Sequence, residues 1–121
     1  MKTIHRTIIC VDLDWGSSGI WIFNKDRNSW ANWNYEALAL PEWLVFRFRF
    51  WTDWYNRKVP EDYRMFDDEE EMFNAYQLAL AIDLRRHLDT TKPGEFEVRS
   101  GRKRVVELPD DAKDPPLGPY F

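Results

Sequence analysis

The chain has 121 residues, a formal charge of −4, 17% aromatics and a single cysteine. That length allows one modest core and leaves little room for a second lobe, and one cysteine rules out disulfides and all-cysteine metal sites within a monomer. The acidic balance excludes general attraction to nucleic-acid backbone or anionic lipid.

Lys2 and Arg6 stand before the apolar run Ile8 to Val11, but Asp12 stops that run far short of a signal-peptide core. No stretch approaches the ~20 apolar residues of a membrane-spanning helix, so the expectation is a soluble, cytoplasmic protein. Residues 3–13 read as a strand, apolar on both faces over 8–11 as in the centre of a sheet. "GSSG" at 16–19 is turn chemistry. "IWIF" at 20–23 is a second strand, and the short loop between the two predicts a β-hairpin. The polar stretch "NKDRNSWANWN" follows and reads as a loop carrying Trp30 and Trp33.

Asn34 is placed to cap a helical turn in "YEALAL", and Pro41 fits the first position of a helix over 41–57, where its missing N–H costs nothing. Two patterns compete there. "VFRFRFW" alternates like a strand, while Leu44, Phe48, Trp51 and Tyr55 follow helical spacing. Helix is predicted because no Gly or Pro interrupts residues 42–59. In "FDDEEEMFNAYQLALAIDLRRHL", Asp67 in a cap position precedes Glu70 by three residues. Acids fill the first turn of this helix, and Arg85, Arg86 and His87 the last, as the helix dipole favours. Phe73, Tyr76, Leu80, Leu84 and Leu88 form its core stripe.

After the break at Thr90 to Gly94, "EFEVRSGRKRVVEL" reads as a hairpin about Ser100-Gly101, with Glu97 opposite Arg104 and Phe96 opposite Val105. Residues 1–108 thus read as a single α+β domain of order β-β-α-α-β-β, an antiparallel sheet from two β-hairpins with the helices packed on one face. Residues 109–121 hold four of the seven prolines and read as an extended C-terminal tail.

Few residues suit catalysis. Asp12-x-Asp14 at a strand exit resembles the first motif of haloacid-dehalogenase-type phosphatases, which implies a small Mg²⁺-dependent phosphatase or kinase-like enzyme, the first Asp as nucleophile and the second as acid/base. "DWGSSG" likewise resembles the phosphate loops of sugar kinases. Those folds need parallel α/β sheets and further acidic and lysine motifs, whereas here the next strand follows at once and must run antiparallel. The expected role of the two aspartates is to satisfy loop N–H groups. His5 and His87 lie on distant elements, so neither a metal nor another cofactor is expected. Ser17 and Ser18 lack a nucleophile-elbow frame, and Cys10 reads as a core residue.

Residues 43–58 interleave aromatics with Arg47, Arg49, Arg57 and Lys58, a pattern that also suits a single-stranded nucleic-acid binder. Helical packing accounts for most of them, with the Arg47 stem expected over Trp51 and Trp54. Trp43, Phe46, Phe50 and Trp54 drift off the core stripe, and an exposed aromatic surface marks an interface. Residues 67–91 carry seven acidic and two basic side chains, and the five acids Asp67, Asp68, Glu69, Glu70 and Glu71 exceed what one helix start needs. They would attract a basic partner.

"DWGSSGIW" together with "LPEWLVFRFRFWTDWY" resembles the immunity proteins of bacterial contact-dependent and related polymorphic toxin systems. That resemblance implies a single-domain, acidic, non-enzymatic protein that binds a toxin domain, such as a basic nuclease, and blocks its active site. No functional residue transfers from that family to a position here. The expectation is a toxin-neutralising binding protein whose contact face comprises Asp67 to Glu71 with Trp43, Phe50 and Trp54. The alternatives are the Asp12/Asp14 enzyme and a nucleic-acid binder through 43–58.

Overall fold

In the computed structural model, which describes residues 6–14, 16–58, 67–101 and 106–108, the apolar run at 8–11 forms the centre of β1 (Thr7–Val11). Ile9, Cys10 and Val11 are all fully buried, so both faces of this strand are covered, as its lack of alternation predicts. On one side β1 pairs antiparallel with β2 (Ile20–Asn24). On the other it pairs in parallel with β4 (Phe96–Ser100), Ile9 standing opposite Val98.

β3 (Ser29–Asn32) extends the sheet beyond β2, and the two-residue β5 (Val106–Glu107) extends it beyond β4. The order is β3-β2-β1-β4-β5. Between β3 and β4 the chain forms a short 3₁₀ turn (Glu36–Leu38), α1 (Glu42–Lys58) and α2 (Asp67–Thr91).

The fold is α+β, and the wholly antiparallel sheet expected from two hairpins is corrected to a mixed one. α2 delivers the chain to the start of β1 rather than to its end, and the Thr7 N–H donates to Glu95 O at 2.9 Å to open the parallel ladder. The stretch read as a polar loop contains β3. Asn24 Oδ1 accepts the N–H groups of Asp26 and Arg27 at 3.0 and 3.3 Å, and Asn28 adopts a φ of 49°. The polar residues therefore form a tight turn, and the strand after it is held by the Phe23–Trp30 ring contact at 5.2 Å.

The second hairpin is also shifted. Arg99 faces Glu107 and Ser100 faces Val106, so the connection is residues 101–105 rather than a two-residue turn. Arg104 and Val105, expected opposite Glu97 and Phe96, lie outside the described residues, as does the 109–121 tail.

Both helices form where the 3.6-residue period places them. Leu44, Phe48 and Trp51 of α1, and Phe73, Tyr76, Leu80, Leu84 and Leu88 of α2, join Ile9, Val11, Ile20, Ile22 and Val98 in one core. For α1 the helical spacing overrides the period-two alternation of "VFRFRFW". Residues 79–84 of α2 are buried without a break, as expected of a helix enclosed on more than one side. It continues to Thr91, so Arg85, Arg86 and His87 are not in its last turn, which holds no basic residue. His87, expected to be solvated there, is half-buried and its Nε2 is enclosed.

The opposite face of the sheet carries Cys10, Trp21, Phe23 and Trp30. Three aromatics outside the core are used there.

At Gly19 a side chain would collide with Leu13 of the same loop. The Gly19 φ is +88°, and a Cβ there would lie 2.8 Å from Leu13 Cδ2, with Phe48 and Thr52 side-chain atoms at 3.5 and 3.6 Å. Gly16 has a φ of +71° but open space around it. Gly19→Ala is expected to cost about 2–4 kcal/mol, from backbone strain and repacking of Leu13 together. Gly16→Ala should cost only the conformational part, about 1–2 kcal/mol. Denaturant midpoints of the two variants check this; equal losses would show that the contact with Leu13 adds nothing to the conformational cost.

Candidate functional site

The loop from Asp12 to Gly19 is stapled on every side. Its Leu13 N–H donates to the buried Gln77 Oε1 of α2 at 2.8 Å, and the Gly16 N–H to Asn56 Oδ1 of α1 at 3.0 Å. Ser17 Oγ accepts the N–H groups of Asp14 and Gly19 at 3.3 and 3.2 Å and donates to Asp14 O at 2.9 Å. Ser18 Oγ donates to Trp33 O and accepts from Asn32 Nδ2 at 3.0 Å. Trp21 Nε1 donates to Asp12 O at 2.8 Å, and Tyr35 Oη to Ser18 O at 2.8 Å.

Both serines thus hold backbone groups, the local competition for N–H and C=O typical of this residue type. Among the described residues no three His, Cys, Asp or Glu side chains converge as metal ligands. The arrangement orients β1, β2, β3 and both helices around one loop; Trp15 lies outside the described residues.

The second candidate is the outer side of α1. Phe50 and Trp54 are half-buried against the core: Trp54 stacks on Phe73 at 5.6 Å, and Phe50 meets Trp51 edge-on at 5.4 Å. Trp43 and Phe46 are different. They are 54% and 70% exposed, the large apolar side chains that the described surface leaves open. Three residues apart, they are neighbours on the helix, and Phe50 lies one turn further along the same stripe. The expected contact set included Trp43 and omitted Phe46, although the helical spacing already puts Phe46 off the core stripe.

Arg47, whose stem is expected over Trp51 and Trp54, pairs through its guanidinium with Asp83 of α2. Asp83 is buried, and a buried carboxylate requires a cation; Arg86 stands 3.9 Å from its other oxygen. Of the other two arginines in this segment, Arg49 sits over the Tyr35 ring at 5.8 Å, and Arg57 Nε donates to Asp53 O at 3.3 Å.

Contacts between the helices run antiparallel, Arg47 with Asp83, Trp51 with Tyr76 and Trp54 with Phe73. The acidic start of α2 therefore lies beside the end of α1, and Trp43 and Phe46 beside the far half of α2. Glu70 and Glu71 are exposed, whereas the side chains of Asp67, Asp68 and Glu69 lie outside the described part of the structure. The acidic and aromatic groups are separated by roughly 15–20 Å along α1, at about 1.5 Å rise per residue.

Compared with known proteins, the chain matches no family model, no curated protein and no solved structure. No helix among the described residues is long and apolar enough to cross a membrane.

Tyr35 offers a titratable probe of the loop. Burial raises its hydroxyl above the ordinary 10.0, against smaller lowering effects of the Thr52 hydrogen bond and Arg49. Below about pH 10 the tyrosine is protonated in folded and unfolded chains alike, and its stabilising contribution is fully present. As pH rises further the unfolded chain ionises first, so this contribution is lost through the folded pKa. The stability of the Tyr35→Phe variant should fall less steeply than that of the wild type above about pH 10. Urea midpoints measured across that range check it, and parallel curves would remove Tyr35 as the cause.

Proposed function

We propose that the protein is a non-enzymatic binding protein whose contact surface is the outer side of the α1–α2 pair. Its most specific form is a toxin-neutralising immunity protein that covers the active site of a partner domain. The observation that carries the reading is the exposed Trp43–Phe46 pair. Two large aromatics on a rigid helix lose apolar burial for as long as they face water, and residues of this kind supply most of the energy at protein interfaces.

The exposed Glu70 and Glu71 lie toward the other end of the α1–α2 pair. An ordinary interface buries about 800 Å² on each partner, a patch nearly 30 Å across, so one partner can reach both. Charge at a distance speeds encounter, and the aromatics then hold the complex. A basic toxin or nuclease domain fits that division of labour. The hydrogen bonds that tie the described backbone of the Asp12–Gly19 loop to Gln77, Asn56, Ser17 and Tyr35 support a structural role for that segment.

The test compares wild type with Trp43→Ser/Phe46→Ser, both in capture of basic toxin and nuclease domains from a panel of such domains and in protection of cells expressing a domain that the wild type captures. Because both side chains are exposed, the double variant should keep its stability within about 0.5 kcal/mol. It should lose about 2–4 kcal/mol of binding and, with it, protection. Full capture and protection by the double variant would sink the proposal.

A further inference from the structure

The outer stripe of α1 is ordered as well as exposed. Successive residues turn by about 100° around a helix, which sets Phe46 almost directly opposite the buried Leu44, Phe48 and Trp51. The other outward residues fall on two flanks of Phe46. Trp43 and the half-buried Phe50 lie about 60° and 40° to one side, and Glu42 and Arg49 about 40° and 60° to the other. Glu42 and Arg49 are both exposed, and Arg49 is seated over the Tyr35 ring. One flank is therefore aromatic and the other charged, with the acid before Phe46 and the base after it.

We propose that in the absence of another partner this stripe pairs with the same stripe of a second copy, the two α1 helices running antiparallel about a two-fold axis at Phe46. A two-fold contact must be self-complementary. The axis that makes two helices antiparallel sets each flank against its own counterpart, so residues three or four places before Phe46 meet those three or four places after it. Phe46 then faces Phe46 of the second copy, Trp43 faces Phe50, and Glu42 faces Arg49, the last two contacts each made twice. A parallel pair would instead set Glu42 level with Glu42 and Arg49 level with Arg49, which repel.

The available area sets the strength. A fully covered aromatic side chain buries about 150–250 Å², so the exposed parts of Trp43 and Phe46, 54% and 70%, offer roughly 200–300 Å² on each copy. A stable interface takes about 800 Å² a side, so this dimer is weak and forms at high concentration. A protein that takes the aromatic pair displaces the second copy. Self-pairing thereby regulates the contact surface proposed above, and it rests on that reading only in needing the surface exposed.

The experiment is sedimentation velocity of the full chain, with no partner present, from about 5 μM to about 1 mM. Salt is held at about 0.15 M, where a Debye length of ~8 Å screens the net charge of each copy more than it screens groups in contact. The average mass is expected to rise with concentration from that of the monomer toward twice that value. Phe46→Asp, which sets two carboxylates at the axis, should keep the chain monomeric throughout. Glu42→Arg and Arg49→Glu should each weaken self-association about tenfold, since each turns two attractive pairs into repulsive ones. An equimolar mixture of these two variants should recover it, because every pair across the axis is again of opposite sign. The three side chains changed are exposed, and an unaltered circular dichroism spectrum separates lost pairing from unfolding. A wild-type chain that stays monomeric to about 1 mM would overturn the proposal. So would association that survives Phe46→Asp, or a mixture no better than either variant alone. Monomeric wild type together with capture lost in Trp43→Ser/Phe46→Ser would sink self-pairing alone; a dimer together with full capture by that variant would sink the partner reading alone.

Discussion

A buried central strand has nowhere to send its peptide groups except to its neighbours, and β1 sets the terms for the rest of this fold. Both of its edges are paired, antiparallel to β2 and parallel to β4. Where it leaves the sheet, the Leu13 N–H is satisfied by Gln77 from α2. An unpaired backbone group at such a depth costs about 1–3 kcal/mol, so the loop after β1, the middle of α2 and the first hairpin are positioned together. The Asp12–Gly19 segment is the joint between them. Its serines, its glycine and its aspartate backbone are used in closing that joint, which explains a dense polar motif without assigning it chemistry.

The helices answer a different constraint. α2 is enclosed over 79–84, and a charged residue falls inside that stretch. Asp83 is tolerated because Arg47 reaches it from α1, and the ion pair fixes how the two helices meet. Trp51 on Tyr76 and Trp54 on Phe73 then stack at the same seam. With its inner side committed to the core and one flank to α2, α1 has Trp43 and Phe46 left over. Their exposure follows from the width of the aromatic stripe, which is greater than the seam can cover.

Two surfaces of opposite character result. The start of α2 is acidic, while its far half contributes arginines to a cleft at the sheet edge. A net charge of −4 describes neither. Averaging over the chain conceals a cluster of four arginines, Arg6, Arg85, Arg86 and Arg99, that forms only because residues before β1, in α2 and in β4 meet at one edge.

The sequence by itself determined the elements whose signals are local. The buried β1, the first hairpin, the core stripes of both helices and the turn glycines were legible because side-chain period and backbone preference act over a few residues. β3 was less so, since its four residues follow a turn whose polar composition dominates the stretch. Tertiary structure alone decided the parallel pairing of β4 with β1, the register of β5, the pairing of Arg47 with Asp83, and the gathering of the four arginines. Each depends on which distant segments share an edge or a seam. That is settled by burying apolar faces and satisfying buried polar groups across the whole chain, and no window of adjacent residues contains it.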